Sequence, residues 1–271
     1  MPAPSPPCSP VSVVPRFDEY AEEWARVAIG FDAKRGDRGD LVAVLYDAIA
    51  EVAEVRGGEN VVEFGCGNGI VGRRLAGSTK RWLATDASGT MLSLAEKRTR
   101  PENGPIEYAQ LDASETGDLA ALPDASFDLA VAGMMLNCLP ELAPLYTTLA
   151  RVLVPGGAFA VTVPHPCFNN AHTSWESRLT RDRGTEWRIS FGRYIEPTEA
   201  RLGWEGDDGR PPVYHRPLSR LLTDAFANGF VLDRMAEHVI RAESEPGSYL
   251  QAWREIPPLL AFRLRLGSAA A

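Results

Sequence analysis

Three glycines at alternate positions, Gly65, Gly67 and Gly69, follow directly on the run VVEF (61–64). Few features restrict a fold so tightly. Glycine tolerates positive φ and lets a ligand lie against bare backbone. A helix starting just behind such a loop offers unpaired amides. The residues around it alternate between short apolar runs and helical periods. Strands are expected at 61–64, 81–86, 106–112, 127–134 and 157–164. Helices fit between them at Ile70–Ala76, Thr90–Arg98 and Glu141–Leu153. Strands separated by helix-length connections imply parallel βαβ units and a doubly wound α/β sheet. The Pro155-Gly156-Gly157 stop is expected to turn the chain into the fifth strand.

The flanks read differently. Residues 1–16 hold Pro2, Pro4, Pro6, Pro7, Pro10 and Pro15, which predicts a disordered lead. Within 17–56 two helices are expected. One presents Phe17, Tyr20, Trp24 and Val27 on a single face; the other runs from Asp40 to about Val55. Residues 165–215 are rich in Trp, Tyr, Arg, Gly and Pro and show no long periodic run. Arg216–Asn228 reads as a helix, and 230–239 and 259–266 as a closing pair of strands. The organisation is then one domain over 17–271, with a core at 57–164, an insertion at 165–215 and closing elements at 216–271.

Two ligands compete for the loop. The dinucleotide pattern GxGxxG fails from Gly65, because position 70 is Ile. It is met from Gly67 by GNGIVG, with Asp86 nineteen residues on. That register sets Glu63 beside a diphosphate, where an anion is electrostatically wrong. Glu63 suits a ligand whose near end is cationic and free of phosphate, as S-adenosylmethionine is. A solvated strand-end role remains the alternative for Glu63. For Asp86 it is a helix cap near Ser88, and for Asp112 a turn.

Four landmarks in order, Glu63-Phe64-Gly65-Cys66-Gly67-Asn68-Gly69, Asp86, Asp112-Ala113 and FDLAVAGMMLNCL leading to LARVLVPGGAFAVTVP, resemble the class I S-adenosylmethionine-dependent methyltransferases. The resemblance implies a seven-stranded, mostly parallel, Rossmann-like sheet with an N-terminal helical lid and an insertion after the fifth strand. It implies that Glu63 holds the methionine ammonium, Gly65 and Gly67 let the cofactor lie flat, Asp86 takes the ribose hydroxyls, and Asp112 with Ala113 meets the adenine edge. Tyr20, Cys66, Ala87, Met91 and Met134 complete the implied cofactor set. Cys66 shows no sign of a reactive thiol.

Methyl transfer is an in-line displacement that needs alignment, exclusion of water and, for a hydroxyl or amine acceptor, a proton acceptor. The insertion lies where relatives carry acceptor-binding segments. His165 and His215 are the candidate bases, because neutral imidazole suits that work near pH 7. Asn137, Phe168, His172, Trp175 and Tyr214 join them as candidate acceptor contacts. Asn137 equally suits a cap on the next helix, and His215 a backbone contact before its helix. His238 reads as structural.

Composition narrows the class. With 28 Lys plus Arg against 36 Asp plus Glu, the net charge of −8 argues against a nucleic-acid acceptor. Cys8, Cys66, Cys138 and Cys167 form no CxxC pair, and no His/carboxylate spacing suggests a metal. The absence of a charged-then-apolar start and of a spanning apolar run predicts a cytoplasmic protein. The expectation is a small-molecule methyltransferase of bacterial specialised metabolism, monomeric or homodimeric. The alternatives are a protein of this fold that does not methylate, such as a cyclase or a binding partner, and a nicotinamide oxidoreductase.

Overall fold

The computed structural model describes residues 37–170, 172–180, 184–201, 212–241 and 249–267. The Pro-rich lead and the helix bearing Tyr20 and Trp24 lie outside the described residues.

Helix α1 (Asp37–Ala53) precedes β1 (Asn60–Phe64), α2 (Ile70–Leu75), β2 (Arg81–Asp86), α3 (Gly89–Arg98) and β3 (Ile106–Gln110). The chain continues through α4 (Thr116–Ala120), β4 (Phe127–Gly133), α5 (Ala143–Val152) and β5 (Leu153–Pro164). Then come β6 (Thr173–Thr180), β7 (Gly184–Phe191), β8 (Thr198–Arg201), β9 (Pro212–His215), α6 (Leu218–Ala227), β10 (Phe230–His238) and β11 (Leu259–Leu266).

Seven strands form one sheet in the order β10-β11-β5-β4-β1-β2-β3. Strands β1 to β5 run parallel, and β11 lies antiparallel to both β5 and β10. Strand order reverses between β1 and β4, so their carboxyl ends open a crevice at the switch point. The strands alternate their side chains between two buried layers. On one face Val62, Phe64, Ala130 and Phe159 pack with Leu145, Tyr146 and Leu149 of α5 and Leu221 of α6. On the other, Val61, Val131 and Ala160 pack with Val44, Ile49 and Val52 of α1 and Leu92 of α3.

Several expectations need correction. The 165–215 stretch is not irregular: β6 pairs with β7 and β8 with β9 as antiparallel hairpins. Pro155-Gly156-Gly157 does not end one element and start another. β5 begins at Leu153 and absorbs the extra residues as a bulge opposite Phe127–Leu129, with Gly156 at φ 79°. β3 stops at Gln110 instead of running to residue 112, and the short α4 was not anticipated.

Candidate functional site

The crevice is built from the ends of four strands. After Phe64, the loop takes Gly65, Gly67 and Gly69 through φ of 66°, 55° and 77°, all in the left-handed region. A Cβ on Gly65 would lie 2.4 Å from Met135 Cγ. The backbone there is thus pressed against the β4 loop, which only glycine permits. Cys66 N–H donates to Thr85 O at 2.8 Å, and Gly69 N–H returns to Cys66 O at 2.9 Å, fixing the bend before α2.

Asp86 ends β2 and organises its surroundings. One carboxylate oxygen accepts from Gly67 N–H at 2.8 Å and the other from Ser88 N–H at 2.9 Å. The cap of α3 is Ser88, whose hydroxyl accepts from Met91 N–H, so Asp86 braces that cap without being it. Asp112 is partly a turn residue: its Oδ1 accepts from both the amide and the hydroxyl of Ser114, at 2.8 and 2.6 Å.

Glu63 is 1% exposed. The Trp82 indole donates to its Oε2 at 2.7 Å, and Thr85 Oγ1 donates to its main-chain carbonyl. Burial pushes its carboxyl up to about 7, helped by the nearby Asp86 charge and resisted by Trp82, Arg73 and the Gly72 amide. Burial likewise raises the thiol of Cys66, and lifts that of Cys138 to about 12, so neither is a nucleophile near neutral pH.

One cavity gathers Glu63, Gly65, Cys66, Gly67, Asp86, Ala87, Met91, Asp112, Ala113 and Met134. Tyr20 lies outside the described residues. Sequence reasoning missed several walls: Leu45 of α1, Asn68, Ile70, Val71, Ser88, Leu111, Gly133, Met135, Cys138 and Leu139. Those next to a strand's carboxyl end could have been found by position alone, whereas Leu45 reads as one more core residue of an apolar stripe. Met134 stands at φ 58°, a strained conformation for a side-chain-bearing residue, directly on the wall. Among the described lining residues there are three carboxyl side chains and no Lys or Arg.

The acceptor candidates sit elsewhere. His165 is buried, and neither it nor Phe168, His172, Trp175, Tyr214 or His215 lines the cavity. Nδ1 of His165 accepts from Cys167 N–H, so Nε2 carries the proton and donates to Glu237 at 2.8 Å. With Phe168 stacked at 4.4 Å and burial lowering its pKa, His165 is a neutral brace with both nitrogens occupied. Trp175 packs edge-on to Trp253 at 4.5 Å and pins the β6–β7 hairpin to the α1 side of the sheet.

His172 and His215 meet edge-to-face at 6.4 Å, with Tyr194 tilted against His215 at 5.8 Å. His215 Nε2 donates to the Tyr194 carbonyl at 2.9 Å, which leaves Nδ1 as the proton-accepting atom of the neutral ring. Its backbone contact is thus to Tyr194 of the insertion. His172 Nε2 bonds Thr198 Oγ1. Arg216 stacks over Tyr214 and donates to the carbonyls of Leu136, Leu139 and Pro140, tying β9 to the turn after β4. Asn137 lies in that turn, and α5 is capped from Leu142, so Asn137 does not cap it. His238 bonds Glu51 of α1, as a structural residue would. Among the described residues no His/Cys/Asp/Glu cluster suits a metal.

Residues 62–161 match a family model described as a methyltransferase domain. An uncharacterized methyltransferase of Mycobacterium tuberculosis (strain ATCC 25618 / H37Rv) is 32% identical over 134 residues, covering 48% of this chain and 65% of the relative. A 27-O-demethylrifamycin SV methyltransferase of Amycolatopsis mediterranei is 34% identical over 131 residues, covering 45% of this chain and 46% of that protein. The chain thus spans less than two thirds of the length of these relatives. Among solved structures, an S-adenosylmethionine-dependent methyltransferase from Mesorhizobium loti superposes with a TM-score of 0.66 at 25% identity, covering 82% of this chain and 97% of that one.

Proposed function

Since this chain carries a class I S-adenosylmethionine-dependent methyltransferase domain, we propose that it moves a methyl group from S-adenosylmethionine to an O, N or C nucleophile of a small molecule. The observation that carries the reading is the charge of the crevice: three carboxyls and no Lys or Arg around a loop of left-handed glycines. A diphosphate would face carboxyl side chains with no Lys or Arg among the lining residues to offset them, which disfavours a nicotinamide coenzyme. A phosphate-free cation fits, and the glycine backbone leaves it room.

In this reading Asp86 accepts the ribose hydroxyls, and Asp112 with Ala113 faces the adenine edge. Glu63 supplies negative charge toward the methionine ammonium. When bound, S-adenosylmethionine supplies a methyl carbon already activated by positive sulfur. The protein's remaining work is to align the acceptor, exclude water and take a proton. The acceptor pocket is assigned to the space between the turn holding Asn137 and the insertion that carries His172, Tyr214 and His215. His215 Nδ1 is the proton acceptor we favour over His165. The net charge of −8 supports a small molecule over a nucleic acid. The 27-O-demethylrifamycin relative supports an oxygen acceptor in bacterial specialised metabolism. No helix among the described residues is long and apolar enough to cross a membrane. We place the protein in the cytoplasm, as a monomer or homodimer.

Incubation with methyl-labelled cofactor and a panel of phenols, alcohols and amines tests the activity; label should pass to an acceptor. Acceptor turnover with the cofactor left intact would support a cyclase-like role in its place. Calorimetry with S-adenosylhomocysteine and NADH tests the crevice, and binding of NADH alone would overturn the reading. Asp86→Ala should weaken S-adenosylhomocysteine by about 1–3 kcal/mol, the loss of a charge-assisted hydrogen bond.

A further inference from the structure

Glu63 is the carboxyl of the crevice wall that is almost wholly enclosed. β1 delivers it to the sheet face covered by α2, where the Trp82 indole meets Oε2 at 2.7 Å. Helix α2 can press this close because residue 72 is glycine; a Cβ there would stand 3.0 Å from the same oxygen. Both groups offered to the carboxyl, an indole and an amide, are neutral donors. The charged and titratable groups facing it are Asp86 from β2, Cys66 from the loop, Tyr108 from β3 and Arg73 from α2. Asp86 disfavours a second negative charge beside it, while burial and neighbouring carboxyls keep the Cys66 thiol and the Tyr108 phenol neutral. The fourth, Arg73, spends a guanidinium N–H on the Asn68 carbonyl. From α1 and β4 the cavity receives Leu45 and Gly133, neither of which titrates.

A carboxyl so enclosed is uncharged in the free protein at mildly acidic pH, yet it lines a cavity suited to a cation. We propose that cofactor uptake is coupled to the loss of the Glu63 proton: the crevice takes in the ammonium-bearing end of its ligand and releases one proton to solvent. This rests on the reading of the crevice as the S-adenosylmethionine site. Charge balances, since the neutral acid becomes a carboxylate opposite the arriving cation. Between the carboxyl's titration in the complex and its titration in the free protein, affinity then rises with pH, and above that window it is level.

The test is calorimetric titration of the full chain with S-adenosylhomocysteine, which keeps the ammonium, from pH 5.5 to 8.5 in two buffers of different ionisation enthalpy. Affinity should rise about thirtyfold from pH 5.5 to 8, with about 0.9 proton released at pH 6 and about half a proton at pH 7. Glu63→Gln should bind with little pH dependence and release no proton. The histidines lie off the cavity wall and are unchanged in that variant, so any contribution of theirs subtracts. Trp82→Phe removes a donor that favours the charged form and should move the midpoint upward; it serves if the Gln variant fails to fold. A flat profile in the unmodified chain, proton release that survives Glu63→Gln, or an unmoved midpoint in Trp82→Phe overturns the proposal. Absence of binding at every pH overturns the cofactor reading itself, and this inference with it.

Discussion

At single positions the crevice depends on which atoms are missing. Gly65 and Gly67 both sit at positive φ, where an alanine costs roughly 1–2 kcal/mol of backbone strain. Their surroundings differ. A Cβ at 67 would make an ordinary 3.5 Å contact with Met91 Cε, whereas one at 65 would overlap Met135 Cβ and Cγ at 2.8 and 2.4 Å. Gly65→Ala should therefore lower the thermal midpoint clearly more than Gly67→Ala. Met135→Ala in the same chain should return part of the loss, and a double-mutant cycle measures how much. Glu63 gives a second residue-level expectation. Its folded-state pKa near 7 lies above the ordinary 4.5, so the folded chain keeps a proton that the unfolded chain gives up. The contribution is fully present below pH 4.5 and is lost as pH rises through 7, up to about 3 kcal/mol. Without cofactor, Glu63→Gln should thus melt above the unmodified chain at pH 8 and beside it at pH 4. Melts that differ equally at both pH values would contradict this.

Among the elements, the two hairpins of the insertion behave unlike the sheet they adjoin. β6 and β7 pair over eight residues, but much of their surface meets solvent, and Leu179 at the far end is 82% exposed. The Trp175–Trp253 contact is the described anchor. Trp175→Ala should speed hydrogen exchange through β6 and β7 while leaving β1, β4 and β5 protected; uniform loss of protection would mean the hairpin is part of the core. The same exposure explains what the sequence shows and what it hides. β2 and β11 match their expected limits of 81–86 and 259–266 because their apolar side chains are buried and breakers bound them. β6 and β7 bury too little on either face to leave an apolar period, so a reading by periodicity passes over them. For the crevice, strand ends and glycine spacing pointed to the switch point of a parallel sheet, and the family resemblance then named the ten residues that line it. His165 stands at such an end too, but β11 lies antiparallel alongside β5, and His165 N–H donates to Pro258 O before its ring turns to Glu237 of β10. Which way a side chain leaves a strand end depends on a neighbour far along the chain, and local sequence does not carry that.

Across the whole molecule, the chain is closed by charge as well as by strand pairing. Arg263 of β11 is buried on the α1 side and donates to Asp233 of β10 through two nitrogens, at 2.8 and 3.1 Å, and to Glu54 beyond α1 at 2.8 Å. Arg265 adds a bond to the same Asp233 at 2.7 Å. The cluster ties the segment entering the sheet to the two strands that finish it, 209 residues apart between Glu54 and Arg263. Arg263, then Arg56, holds the Glu54 carboxyl down at about 2. Asp233, although burial pushes the other way, is kept below its ordinary value by Arg263 and Arg265. Both carboxyls are depressed in the folded state, so the unfolded chain binds protons first as pH falls. Their stabilisation is whole above pH 4.5 and is lost on the way down to about 2. Arg263→Met keeps apolar volume but removes the shared cation, leaving Asp233 with Arg265 and Glu54 with Arg56 and Arg234. The variant should be less stable at pH 7, because it leaves the two carboxyls without their shared cation. It should also show a shallower fall between pH 4.5 and 2.5, because less depression is left to titrate away. Urea midpoints across that range measure both effects. Equal acid slopes in the two proteins would mean that the cluster only fills space and that strand pairing alone closes the chain.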